Sequence, residues 1–142
     1  MSRIVAERYH DISCGHRVVG HENKCKYLHG HNYRFHFKIA SAGGFDELGR
    51  VMDFGVIKSK LCEWLEENYD HKMLIWELDP MLPDLRKISP ESIVEVDFNP
   101  TAENIAEDFC KNHAPHLLAD TGCVLVELKI EETRKCSVTY SI

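Results

Sequence analysis

The sequence predicts an α+β fold in which an antiparallel four-stranded sheet carries two helices packed on one face. Two patterns lead there. Apolar and polar residues alternate along 31–39 and again along 124–132, the period of a strand with one buried face. Between those strands lie two segments with apolar residues at helical spacing, so the order reads strand, strand, helix, helix, strand, strand. A chain of 142 residues can bury a core as a single domain spanning 1–142, and no shift in composition marks a second one.

From the amino end, Arg3 to Ile12 is rich in β-favouring residues and leads into Cys14-Gly15-His16. Pairing it with the 31–41 strand would bring its end beside His29 and His31. Gly43-Gly44 reads as a hairpin turn. Asp53 suits the N-cap of the first helix, which runs to about Asn68 with Ile57, Leu61, Trp64 and Leu65 on one face. The stretch 77–99, with Pro80, Pro83 and Pro90, reads as a surface excursion holding at most a short strand at Ser92–Val96. Thr101 suits the N-cap of the second helix, whose stripe of Ile105, Ala106, Phe109 and Cys110 continues until Pro115 interrupts it. On the penultimate strand Val124, Val126, Leu128, Ile130 and Glu132 share one face. An acid that continues an apolar face is costly unless something pairs with it; the alternative is that the strand ends at Ile130 and Glu132 is solvated.

Composition narrows the functional class. A net charge of −6 argues against a nucleic-acid surface, which needs a basic face. No apolar run approaches a membrane span, and Met1-Ser-Arg-Ile has no secretory pattern, so a soluble cytoplasmic protein is expected. Cys14, Cys62, Cys110, Cys123 and Cys136 are scattered without a disulfide framework and read as small packing residues.

The most informative segment is Cys25-Lys26-Tyr27-Leu28-His29-Gly30-His31. Alternate side chains of a strand share a face, so His29 and His31 point the same way, and Tyr33, Phe35, Phe37 and Ile39 continue that apolar face. A buried imidazole without a partner costs about 1–3 kcal/mol, which either a metal ion or bonds to backbone carbonyls would offset. Carbonyls suit a lone core histidine. An H-x-H pair with a cysteine and a further histidine nearby favours a metal, with His16 as the expected third ligand. Three neutral imidazoles leave a divalent ion at full charge with an open fourth position, the arrangement of catalytic zinc. A non-haem iron site would replace one histidine by a carboxylate, so Zn2+ is the expected cofactor and iron the minor alternative.

His16, the Cys25-x3-His29-Gly-His31 motif, Asp70-His71, Pro100-Thr-Ala-Glu-Asn104 and Glu132-Thr133 follow one another in an order and spacing that resemble the 6-pyruvoyltetrahydropterin synthase / 6-carboxytetrahydropterin synthase family over nearly the whole chain. The resemblance implies the tunnelling fold, in which subunits join their sheets into a barrel. It also implies a homo-hexamer made of two trimers, with active sites between neighbours. In members that make tetrahydrobiopterin precursors five residues usually separate the cysteine from the His-Gly-His. Here there are three, Lys26-Tyr27-Leu28, which is similar to the branch serving queuosine and other 7-deazapurines. The activity so implied is a zinc-dependent lyase acting on 7,8-dihydroneopterin triphosphate, a free small molecule, to give 6-carboxy-5,6,7,8-tetrahydropterin, acetaldehyde and triphosphate. A 6-pyruvoyltetrahydropterin synthase, which keeps the three-carbon side chain, is the alternative enzyme. One departure touches local geometry: the family often follows its Asp-His with Leu-Asn, whereas Leu74 is followed here by Ile75.

The same resemblance makes Glu132 the anchor of the pterin's guanidine-like edge, with Thr133 and Thr101 adding hydrogen bonds. Cys25 is expected as general base or nucleophile, with His71 exchanging protons and Asp70 holding its tautomer. A rival role for Cys25 is fourth zinc ligand, which would close the coordination sphere and make the protein a non-catalytic, zinc-stabilised binding module. Arg17, His21, Lys24 and Lys26 are candidates to meet the triphosphate.

Overall fold

The computed structural model describes residues 3–142; Met1 and Ser2, part of the amino-terminal stretch read above, lie outside them. The described residues contain β1 (Ala6–His16), β2 (His29–Ser41), β3 (Met73–Trp76), β4 (Ile93–Val96), β5 (Cys123–Glu131) and β6 (Ser137–Ser141). They form one sheet in the order β4-β3-β1-β2-β5-β6. The expected antiparallel set is present as β1, β2, β5 and β6, but a four-stranded sheet is too small: β3 and β4 extend it beside β1 by parallel pairing. Leu74 and Ile75 are adjacent and both buried, so β3 is covered on both faces and shows no alternation. A four-residue apolar run of that kind is indistinguishable by period from the tail of the preceding helix.

The long β1–β2 pair sets the geometry of everything that follows. Its register runs from Ala6 opposite Ile39 to His16 opposite His29, with Cys14 opposite His31. The inward face of the sheet presents Ile12, Cys14, Tyr33, Phe35, Phe37, Ile39, Leu125, Leu128 and Ile130 to the two long helices. Phe109 is the hub, with ring centroids 6.3 Å from Phe35, 5.6 Å from Phe37 and 5.5 Å from Trp64. The outward face is polar. Arg34 grips Asp11 through two bonds of 2.8 and 3.0 Å, Lys38 meets Glu127 at 2.8 Å, and His36 meets Glu131.

The first long helix covers 54–68, capped by the Asp53 carboxylate accepting from Gly55 N at 2.9 Å. The second covers 102–117, capped by Thr101 Oγ1 accepting from Asn104 N at 3.1 Å. Each contains a wider π turn, Lys58–Cys62 in one and Phe109–His113 in the other. The second π turn explains why Pro115 does not end its helix, contrary to expectation. The ladder re-registers at Ala114, placing Pro115 in the first turn of the segment Ala114–Leu117, where no N–H is required.

Three further expectations need correction. The 77–99 stretch holds the short strand expected at Ser92–Val96, as β4, but is more than an excursion, because a short helix, Leu82–Ile88, with Pro83 in its first turn, precedes it. Gly43-Gly44 does not close a hairpin; it lies in the loop that leaves β2 for the first long helix. Val124 is not on the core face. A bulge lies opposite Lys38 and Ile39, so Leu125 fills the core while Val124 is exposed. No helix among the described residues is long and apolar enough to cross a membrane.

Candidate metal centre and the adjoining recess

His16, His29 and His31 converge at the end of the β1–β2 pair, and their ligand atoms all lie within 4.8 Å of one another. His16 Nε2 is 3.0 Å from His29 Nε2. Three nitrogens bound tetrahedrally at about 2.0–2.1 Å to one zinc ion would stand about 3.3 Å apart, so little movement separates this arrangement from a ligand set. Close backbone approach makes room for it. A Cβ on Gly15 would fall 2.6 Å from the end of the Met73 side chain, which would have to swing aside, and 3.2 Å from His29 O, so glycine suits the tight meeting of β1, β2 and β3.

The hydrogen bonds on the far side of the rings fix which nitrogens face inward. His16 Nδ1 donates to Pro100 O at 2.6 Å, and His29 Nδ1 donates to Tyr27 O at 2.7 Å. A carbonyl only accepts, so both rings carry their proton on Nδ1 and present Nε2 lone pairs to each other. His31 Nε2 is buried with no hydrogen-bond partner. Charging a ring is an expensive remedy: burial pushes His16 down to about 4 and also pushes His31 down, although Glu132 pulls His31 the other way. Facing lone pairs, an orphaned buried nitrogen and rings that resist protonation suit a divalent cation accepting three imidazole donors.

Glu132 reaches the same cluster. It follows the last residue of β5, and its Oε1 is 3.4 Å from His16 Nε2 and 3.5 Å from His31 Nε2. It also lines a recess of about 260 Å³ with Ala102, Glu103, Cys136, Ser137 and Val138. The β5–β6 turn is held by Thr133, whose Oγ1 accepts from Lys135 N at 3.2 Å and from Cys136 N at 3.1 Å. The hydroxyl protons of Thr133 and Thr101 are not used in these bonds, leaving both side chains able to donate. Thr101 directly follows Pro100, so the second helix begins where the His16 ring is oriented.

Cys25 sits half-buried in a single 3₁₀ turn, Lys24–Lys26, just before β2. The set of mutually close ligand atoms contains the three histidines and not its sulfur. Asp70 and His71 are placed elsewhere, on the β3 side of β1. Ser13 N donates to Asp70 Oδ1 at 2.9 Å, His71 N donates to Ser13 O at 2.6 Å, and His71 Nδ1 donates to Asp70 Oδ2 at 2.8 Å. His71 adopts a left-handed backbone, with φ of 59°, and its side chain is 80% exposed. Among the described residues no hydrogen bond joins it to Cys25; instead it lines an open hollow of about 410 Å³ with His31, Asn32 and Ser92.

Sequence reasoning passed over several residues that shape the site. The Pro100 and Tyr27 carbonyls are backbone groups and leave no side-chain signal. Tyr33 was legible by period, two residues beyond His31, yet its role as a neighbour of the cluster is visible only in space. Its ring centroid is 5.3 Å from His31 and 5.8 Å from His16, and its hydroxyl is buried without a partner. Arg17, a triphosphate candidate by sequence, has its guanidinium committed to Asp79 and to Lys26 O. An apolar hollow of about 340 Å³ lies at the other end of β5, around Cys110, Leu118, Leu125 and Ile142, without convergent polar groups.

Comparison with known proteins points the same way. A family model described as 6-pyruvoyl tetrahydropterin synthase matches residues 5–142. The chain is 38% identical over 129 residues to the 6-carboxy-5,6,7,8-tetrahydropterin synthase of Rickettsia typhi, covering 90% of this chain and 93% of that protein. It is 38% identical over 122 residues to the protein of that name from Aquifex aeolicus, covering 80% and 74% respectively. Among solved structures, an uncharacterised protein from Wolinella succinogenes superposes with a TM-score of 0.83 at 23% identity, over 97% of both chains. The 6-pyruvoyl tetrahydropterin synthase of Caenorhabditis elegans superposes with a TM-score of 0.66 at 21% identity, over 98% of this chain and 95% of that one. At such identities the two structures speak for the fold alone.

Proposed function

The chain belongs to the 6-pyruvoyl tetrahydropterin synthase family, and we propose that it is the lyase that converts 7,8-dihydroneopterin triphosphate and water to 6-carboxy-5,6,7,8-tetrahydropterin, acetaldehyde and triphosphate. This is a cytoplasmic step toward queuosine and related 7-deazapurines. The observation that carries the reading is the convergence of three imidazole Nε2 atoms with the Glu132 carboxylate beside a recess. The spacing of three residues between Cys25 and His29, together with the names of the relatives, supports the carboxy branch.

His16, His29 and His31 would hold one Zn2+ per chain, which when bound supplies a Lewis acid for side-chain hydroxyls of the substrate. Glu132 accepts two hydrogen bonds from the guanidine-like edge of the pterin, turning from the histidines into the recess, and Thr101 and Thr133, sequence neighbours of the lining residues Ala102 and Glu132, donate to the pterin. Cys25 removes a proton from one side of the substrate's side chain. His71 exchanges protons on the other, with Asp70 keeping its proton on Nδ1 and its Nε2 free. In a hexamer of two trimers, the exposed His71 would meet the Cys25 of a neighbouring chain. The outer strands β4 and β6 offer the unpaired edges that such an assembly covers.

Replacing Cys25 by Ala tests the catalytic reading. The variant is expected to keep stoichiometric zinc and its melting temperature while consumption of dihydroneopterin triphosphate falls at least about 10²-fold. Loss of zinc and of stability together would instead make the thiol a ligand and the protein a zinc-stabilised module.

A further inference from the structure

Asp79 is the most deeply buried carboxylate among the described residues, 3% exposed, in the stretch between β3 and the short helix Leu82–Ile88. Its backbone is fixed at both ends, with its N–H donating to Trp76 O at 2.9 Å and its carbonyl accepting from Leu82 N at 3.0 Å. Oδ1 accepts from Met81 N at 2.8 Å, while Oδ2 accepts from Arg17 Nε at 2.6 Å. A carboxylate buried this far persists only when paired. The partner does more than neutralise it, because the second arm of the same guanidinium, Nη1, donates to Lys26 O at 2.7 Å.

That bond lands on the turn that carries Cys25. The next residue of the same segment, Val18, donates its N–H to Cys25 O at 2.7 Å, so two successive carbonyls of the turn, those of Cys25 and Lys26, hang on residues 17 and 18. The supporting segment is itself clamped. Asn99 accepts from Val19 N at 3.0 Å and donates to Val19 O at 2.9 Å. A planar fork with fixed donor directions serves two acceptors at once in a way a single ammonium does not.

We propose that the Asp79–Arg17 pair is the positioning device for Cys25: the buried carboxylate aims the guanidinium, and the guanidinium's second arm sets the Lys24–Lys26 turn beside the three-histidine centre. Arg17 and Asp79 act through the turn and not on the substrate. The inference rests on the reading of Cys25 as the reacting thiol, but its decisive test needs no substrate.

The primary variant is Arg17→Lys, which keeps a positive charge opposite Asp79 and so protects the fold while losing one of the two arms. Cys25 alkylation by iodoacetamide, followed by peptide-resolved mass spectrometry, is expected to change at least about 5-fold relative to wild type. Cys136, exposed on the β5–β6 turn, serves as the unchanged reference. Buried Cys14, Cys62 and Cys110 should stay unlabelled, which shows that the fold is intact. In turnover, kcat is expected to fall about 10- to 100-fold with KM little changed, the signature of a misplaced group and not of lost binding. Asp79→Asn should move both readouts in the same direction. Cys25 alkylation within about 2-fold of wild type in both variants, whatever happens to kcat, would overturn the proposal. A changed alkylation rate in a protein that does not turn over the pterin would uphold it while removing the proposed reaction.

Discussion

The Tyr33 hydroxyl offers the sharpest energetic test of the site. The residue is 2% exposed, and the hydroxyl has no hydrogen-bond partner among the described residues. Burial pushes its ionisation well above the ordinary tyrosine range, and the charges of Glu132, Cys14 and Cys25 push the same way, so it stands there as a neutral, unpaired donor. Leaving such a group unsatisfied costs about 1–3 kcal/mol, and Tyr33→Phe removes it without removing the ring that packs on His31 and Phe35. For 142 residues the unfolding entropy near the midpoint is about 0.3 kcal/mol/K, so each kcal/mol moves the melting temperature by about 3 °C. Zinc-free Tyr33→Phe protein should therefore melt about 3–9 °C above zinc-free wild type in a calorimetric scan. A drop of 3 °C or more would refute the reasoning, because it would mean that the hydroxyl has a partner after all.

Other consequences follow from the same geometry. Glu132→Gln keeps one acceptor and loses the charge, so kcat/KM should fall about 10- to 100-fold while zinc content is retained; zinc loss in this variant would place the carboxylate among the ligands. Zinc at about 100 times its dissociation constant should stabilise the wild-type protein by about 2.7 kcal/mol, read as a rise in melting temperature of about 9 °C. His29→Ala should show little of that rise, and an undiminished shift would move the metal elsewhere. Phe109→Ala empties the hub of the core and should cost about 3–5 kcal/mol in a denaturant titration; a loss below about 1 kcal/mol would contradict the packing described.

How much of this could be read from the chain depended on whether the signal was local. The inward face of β2 follows from strict alternation, and pairing it with the first strand places His16 opposite His29, because register in a long hairpin propagates to its end. Both helix caps were legible because Asp53 and Thr101 bond to N–H groups two and three residues away. The signals that failed were non-local or too short. β3 has only four residues, and parallel pairing imposes no alternation on a strand covered on both faces. The β5 bulge shifts Val124 out of the core through a misfit with β2 that nothing in its own neighbours announces. Pro115 is tolerated because of a π turn upstream. Asp79 and Arg17 are separated by 62 positions, and only the fold shows that a carboxylate in a proline-rich stretch braces the cysteine turn.

The measurement that bears most directly on the account is product identification by mass spectrometry after the zinc-loaded protein is incubated with 7,8-dihydroneopterin triphosphate, with acetaldehyde assayed in the same samples. 6-Carboxy-5,6,7,8-tetrahydropterin and acetaldehyde are expected in equal amounts. A product that retains the three-carbon side chain, formed without acetaldehyde, would contradict it and make the protein a 6-pyruvoyltetrahydropterin synthase.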